Sequence, residues 1–84
     1  MGKKEKLIKR LLSLPRDFSF DELTSLLGHF DYYISSKGKT SGSRSMFRDS
    51  NGNRIHIHKP HPDNVLKPYQ INDIIEILKD RGLL

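Results

Sequence analysis

Apolar residues return at Leu7, Ile8, Leu11 and Leu12. That spacing marks one face of a 3.6-residue period and predicts a helix over 4–13, stopped by Pro15. A second stripe follows at Phe20, Leu23, Leu26, Leu27 and Phe30. Ser19 and Glu22 stand three residues apart at its head, the signature of a capping box. Gly28 is expected to end this second helix, with Asp21 and Glu22 on its solvent side.

From residue 32 the period shortens toward two. Tyr32-Tyr33-Ile34 predicts a first strand, Ser43 to Arg48 a second and Arg54 to Lys59 a third. Lys37 to Gly42 is a polar loop, and Asp49-Ser50-Asn51-Gly52-Asn53 is a hairpin signal. Pro60 and Pro62 close the last strand. Pro68 suits the first turn of a final helix, whose buried face is Ile71, Ile74, Ile75 and Leu78 and whose cap is Gly82. The order α-α-β-β-β-α predicts an α+β fold. A three-stranded antiparallel sheet is backed by helices on one face, and its other face stays open.

The hairpin register decides what that open face carries. Ile55 and Ile57 alternate with Arg54, His56 and His58, while Ser45 and Phe47 alternate with Arg44, Met46 and Arg48. A two-residue Asn-Gly loop pairs Arg48 with Ile55 and puts charge in the core, and a one-residue slip flips every side chain. The expectation is therefore an odd-length loop or a bulge, pairing Phe47 with Ile57 and Arg48 with His56. The open face then displays Arg44, Met46, Arg48, Arg54, His56 and His58. Of Tyr32 and Tyr33, one must face the core, leaving one to offer a base a stacking surface.

Charge sharpens this picture. The 84 residues carry a net +5. Residues 1–16 hold six Lys/Arg against one Glu, and 34–62 hold six against Asp49, whereas 17–33 hold four acids and no base. Basic stretches on a small domain suit a polyanion, most often nucleic acid, although Lys and Arg also simply solubilise. With no cysteine, disulfides and thiolate metal sites are excluded. No apolar run has the length of a membrane span, and no small-residue cleavage site follows the basic start. One cytoplasmic domain over 1–84 is the expectation.

Three readings compete for the run Arg54-Ile55-His56-Ile57-His58-Lys59-Pro60-His61. His56 and His58 share one side of a strand, and His61 or Asp63 could complete a zinc set, but Arg44, Arg48, Arg54 and Lys59 would crowd a dication. The histidines could also be plain solvated side chains, as His29 is expected to be. The third reading is phosphate chemistry. Imidazole titrates near neutrality and can give or take a proton, and guanidinium forks hold phosphate oxygens. No metal and no organic cofactor is expected on this reading.

The order of short motifs resembles a known family. Lys39-Thr40-Ser41-Gly42-Ser43-Arg44-Ser45-Met46-Phe47 is followed by Ile57-His58-Lys59-Pro60-His61-Pro62. Then come Leu66-Lys67-Pro68-Tyr69-Gln70 and Leu78-Lys79-Asp80-Arg81-Gly82-Leu83. Residues 18–84 are similar to the HicA (YcfA-like) toxins of bacterial toxin–antitoxin pairs, with 1–16 as a helical extension. The resemblance implies a fold like a double-stranded RNA-binding domain. It also implies an mRNA-cleaving toxin that blocks translation and is neutralised by a HicB-type antitoxin covering the active face.

One position departs from the family pattern. Where relatives have Gly-Ser-His with a catalytic histidine, this chain has Gly42-Ser43-Arg44, and arginine stays charged and is no ordinary base. Two outcomes stand. His58 or His56 transfers protons while Arg44 and Arg48 hold phosphate, with Ser43 as an accessory donor and Arg54, His56, Lys59 and His61 rimming the face. Alternatively, the chain is a non-catalytic module whose basic face binds RNA or an acidic protein.

Overall fold

A computed structural model describes residues 2–35, 44–60 and 63–84. Helix α1 spans Lys3–Leu12, α2 Phe20–His29 and α3 Pro68–Asp80, and strands β1 Tyr33–Ile34, β2 Arg44–Arg48 and β3 Arg54–His58 form one sheet in the order β1-β2-β3. Both strand pairs are antiparallel. The architecture is the α+β one that the hydrophobic pattern predicts. The shortest axis is 21 Å, the thickness of one sheet and one helical layer.

Each helix is delimited by identifiable chemistry. In α2 the Ser19 hydroxyl accepts from the Glu22 N–H at 3.0 Å, and the Glu22 carboxylate accepts from the Ser19 N–H at 3.1 Å. Gly28 does not end this helix, contrary to expectation; Asp31 takes the left-handed conformation instead, at φ 68°. Tyr32 N–H reaches back to Leu27 O and Asp31 N–H to Gly28 O, a Schellman ending. Aspartate tolerates this backbone because its short carboxylate can bond locally; here it accepts from the Ser50 hydroxyl at 2.8 Å. Helix α3 closes in the same way, with Gly82 at φ 71° and Leu83 N–H on Leu78 O.

The core lies between the helices and one sheet face. Leu11, Phe18, Leu23, Leu26, Leu27, Phe47, Ile55, Leu66, Ile71, Ile74 and Leu78 are almost wholly buried. The stripe expected on α1 is only partly used. Leu11 is buried and Leu7 and Ile8 pack on the core's margin, but Leu12 is 46% exposed. A helix of two to three turns offers a narrow stripe, and Leu12 lies about 100° around the axis from Leu11.

Arg10 fastens α1 to α2. Its Nε donates to Glu22 Oε2 at 2.6 Å and its Nη2 to Glu22 Oε1 at 3.2 Å and Asp17 Oδ1 at 3.0 Å. Glu22 is thus engaged rather than solvated. The Arg10 hydrogen bonds, with help from the Ser19 N–H, hold the Glu22 carboxyl below its ordinary value of 4.5. A carboxyl with a depressed folded pKa contributes stability above its unfolded pKa and loses it as pH falls through the folded one.

Two outcomes follow. Phe47→Ala, at the sheet's centre, should lower unfolding free energy by about 3–5 kcal/mol in urea titration; a loss under ~1 kcal/mol would contradict the core assignment. Glu22→Gln should cost stability at neutral pH and flatten the acid side of the stability profile below 4.5, as followed by thermal melts at stepped pH. A profile identical to the unsubstituted chain would show that the Glu22 carboxylate does not hold α1 to α2.

Candidate nucleic-acid interface

Asp49 closes the β2–β3 hairpin. Its Oδ1 accepts from the N–H groups of Asn51 and Asn53 at 3.0 and 2.7 Å, and its Oδ2 from Asn53 Nδ2 at 2.9 Å. The Asn53 side-chain bond, then the backbone bonds, hold its carboxyl below the usual range. The result is a loop over 49–53, with Gly52 at φ 87°. The loop is odd, as parity requires, but shorter than the expected pairing implies. Phe47 faces Ile55 rather than Ile57, and Arg48 faces Arg54 rather than His56. Both registers keep the isoleucines inside. Ile55 and Ile57 are buried, and His56 and His58 are exposed.

The open face is therefore a set of cross-strand rows. Tyr33, Arg48 and Arg54 form one; Ser35, Met46 and His56 the next; Arg44 and His58 the last. Ser35 N–H donates to Met46 O at 2.9 Å, so the Met46 amide groups point toward β1. The β2–β3 pairs in these rows are then the non-hydrogen-bonded kind, with Cα atoms about 4.5 Å apart and side chains at their closest. Arg48 and Arg54 are directly opposed. Like charges so placed destabilise a sheet, and among the described residues neither forms an ion pair. His56 and His58 lie two strand residues apart, about 7 Å.

The same geometry turns the carbonyls of Arg54, His56 and His58 toward the free edge of β3, and α3 fastens that edge at two points. Gln70, 7% exposed, donates from Nε2 to His58 O at 2.9 Å and accepts the Lys67 N–H on Oε1 at 3.0 Å. Arg81 donates to Arg54 O at 2.7 Å and to the Tyr32 hydroxyl at 2.9 Å. Neither side chain was singled out by sequence pattern. Gln70 follows a helix-starting proline at the position where a side-chain acceptor completes a cap, and that was the available signal.

Other candidates separate. Lys59 has the parity of the isoleucines, and its ammonium lies 5.9 Å from the Phe20 ring centroid on the helical side. Tyr32 is the buried tyrosine of the pair. Tyr33 is 60% exposed at the sheet's free edge, where a Cβ on Gly28 would lie 3.6 Å from its ring. Ser43, His61 and the 37–42 loop lie outside the described residues, and Arg44 is placed here by its strand position alone. Among the described residues, no three of His, Asp and Glu gather into a group that could hold a metal ion.

The model of the HicA toxin of bacterial toxin–antitoxin matches residues 20–83. The chain belongs to the HicA toxin family. The match begins at the first residue of α2 and takes in the whole sheet and α3, leaving α1 outside. No curated protein and no solved structure matches the chain. Among the described residues, no helix is long and apolar enough to cross a membrane.

Gln70→Met keeps the bulk but leaves His58 O and the Lys67 N–H without partners. We expect a loss of about 2 kcal/mol, within the range for unsatisfied buried groups, with faster amide exchange along β3. Unchanged stability and exchange would show that the bridge does not hold the strand.

Proposed function

We propose that this HicA-family chain is an RNA-binding toxin of a type II pair, acting as one domain in the cytoplasm and cutting mRNA on the open face of its sheet. The observation that carries the reading is the opposition of Arg48 and Arg54, without a carboxylate partner among the described residues, beside two exposed imidazoles. An arrangement that costs stability when empty gains its counter-charge from a phosphate backbone.

Arg44, Arg48 and Arg54 hold phosphate oxygens. His58, opposite Arg44 in register, takes the proton from a ribose 2′-hydroxyl. The 2′-oxygen attacks phosphorus, the bond to the 5′-oxygen breaks, and His56 returns a proton to that leaving oxygen. The products are a 2′,3′-cyclic phosphate and a 5′-hydroxyl, so the bonds and protons balance. Ser43 is assigned as an accessory donor and His61 as a further RNA contact on the family resemblance alone. A HicB-type antitoxin would neutralise the toxin by covering these rows.

A second reading is favoured by one residue: Arg44 stands where the family resemblance implies a catalytic histidine, and guanidinium does not shuttle protons at neutral pH. On that reading the face binds RNA or an acidic protein and cuts nothing. Incubating the pure chain with labelled RNA in EDTA separates the two. Fragments lost in His58→Ala support the nuclease; a gel shift without fragments supports the binder. Activity restored only by added zinc contradicts both metal-free accounts.

Arg48→Glu gives a further check of opposite sign on two readouts. It replaces a like-charged row by an opposite-charged one, so the fold should gain about 0.2–1 kcal/mol while RNA affinity falls. A variant that binds RNA as tightly as the parent would contradict a phosphate role for this row.

A further inference from the structure

Between the free edge of β3 and α3 lies a cavity of about 90 Å³ lined by His56, Ile57, His58, Tyr69, Gln70, Asp73, Ile74 and Ile77. At about 30 Å³ per water in the liquid, the space holds roughly three waters, so it admits the edge of a planar base and not the whole ring. The cavity opens beside the two histidines of the proposed phosphate site. Its polar inventory is unlike that of the sheet face. Gln70 is spent on Lys67 and His58. Asp73 is exposed and, among the described residues, makes no ion pair. Tyr69 is 60% exposed, an aromatic ring with no core role.

We propose that this cleft is a nucleobase subsite that selects guanine next to the bound phosphate; the inference rests on the RNA-binding reading above. An exposed tyrosine gives a base a stacking surface, and single-stranded RNA presents unstacked bases with open Watson–Crick edges. A carboxylate only accepts hydrogen bonds and repels phosphate. Asp73 therefore addresses a base that donates. Guanine offers N1–H and N2–H side by side, a two-pronged match to the two carboxylate oxygens. Uracil offers a single N–H between two carbonyls, which face the carboxylate unfavourably. The apolar floor of Ile57, Ile74 and Ile77 meets the inserted edge of the ring, and the rest of the base lies against Tyr69 outside.

The test uses the full chain and two 2′-O-methyl tetranucleotides, UUGU and UUUU, whose blocked 2′-oxygens preclude cleavage. Fluorescence anisotropy at low salt should show UUGU binding about tenfold tighter, the size of one good paired contact. Asp73→Asn should abolish that preference without weakening UUUU, since it removes a charge that repels phosphate and uracil carbonyls. Tyr69→Ala should weaken UUGU about tenfold. Both side chains are exposed, and circular dichroism checks that each variant is folded. Equal affinity for the two oligonucleotides, unmoved by either substitution but lost in Arg48→Glu, overturns the subsite and leaves the phosphate face standing. No binding of either oligonucleotide, in the parent or any variant, overturns both.

Discussion

The register of one hairpin underlies everything the molecule presents to a partner. Strand side chains alternate, so a single-residue change in loop length would exchange the two faces of β3 against β2. Asp49 closes the loop over 49–53 with three hydrogen bonds from Asn51 and Asn53. That places Phe47 on Ile55 in the core and, on the opposite side, Arg48 on Arg54. The core and the cationic face are two consequences of one loop count. The burial of Phe47, Ile55 and Ile57 holds the arginines and histidines in water.

Around this hairpin the helices play different parts. Helix α3 guards the open edge of β3, fastening it through Gln70 and Arg81 at carbonyls four residues apart. An uncovered edge strand invites unwanted pairing, and these two side chains blunt it while fixing where His58 and Arg54 stand. Helix α1 lies outside the segment shared with the family. It is not an idle appendage: Leu11 enters the core and Arg10 grips the cap of α2. Part of the N-terminal positive charge is thereby neutralised within the molecule and is not available to a polyanion.

Much of this was legible in the residues, for reasons that are local. Ser19 and Glu22 announce their capping box by spacing, Pro68 its helix start, and Ile55 and Ile57 their inward turn by alternation. Parity forced an odd hairpin loop. Parity alone could not choose between Phe47–Ile57 and Phe47–Ile55, since both keep the faces; the choice belongs to the Asp49 carboxylate, whose bonds exist only once the loop is closed. Gly28 was a reasonable helix terminus on propensity, but Asp31 could take the left-handed turn with Ser50 as a partner nineteen residues away. Gln70, Arg10 and Arg81 act across 12 to 49 residues of chain, beyond what any periodicity encodes. Of the proposed site, the sheet-face residues were legible because alternation orders them. Lys59 follows the last residue of β3, and its ammonium turns toward the Phe20 ring on the helical side.

On the proposed function, RNA sits on the open sheet face and not on the lysines of α1. Amide chemical-shift mapping with a short 2′-O-methyl RNA over a range of salt concentrations tests it directly. The expected result is a cluster of shifts at Arg44, Met46, Arg48, Arg54, His56 and His58. With three phosphate contacts on a single strand, affinity should fall with a log–log salt slope of about −2. Shifts centred on Lys3, Lys6 and Lys9 instead, or an affinity indifferent to salt, would contradict it.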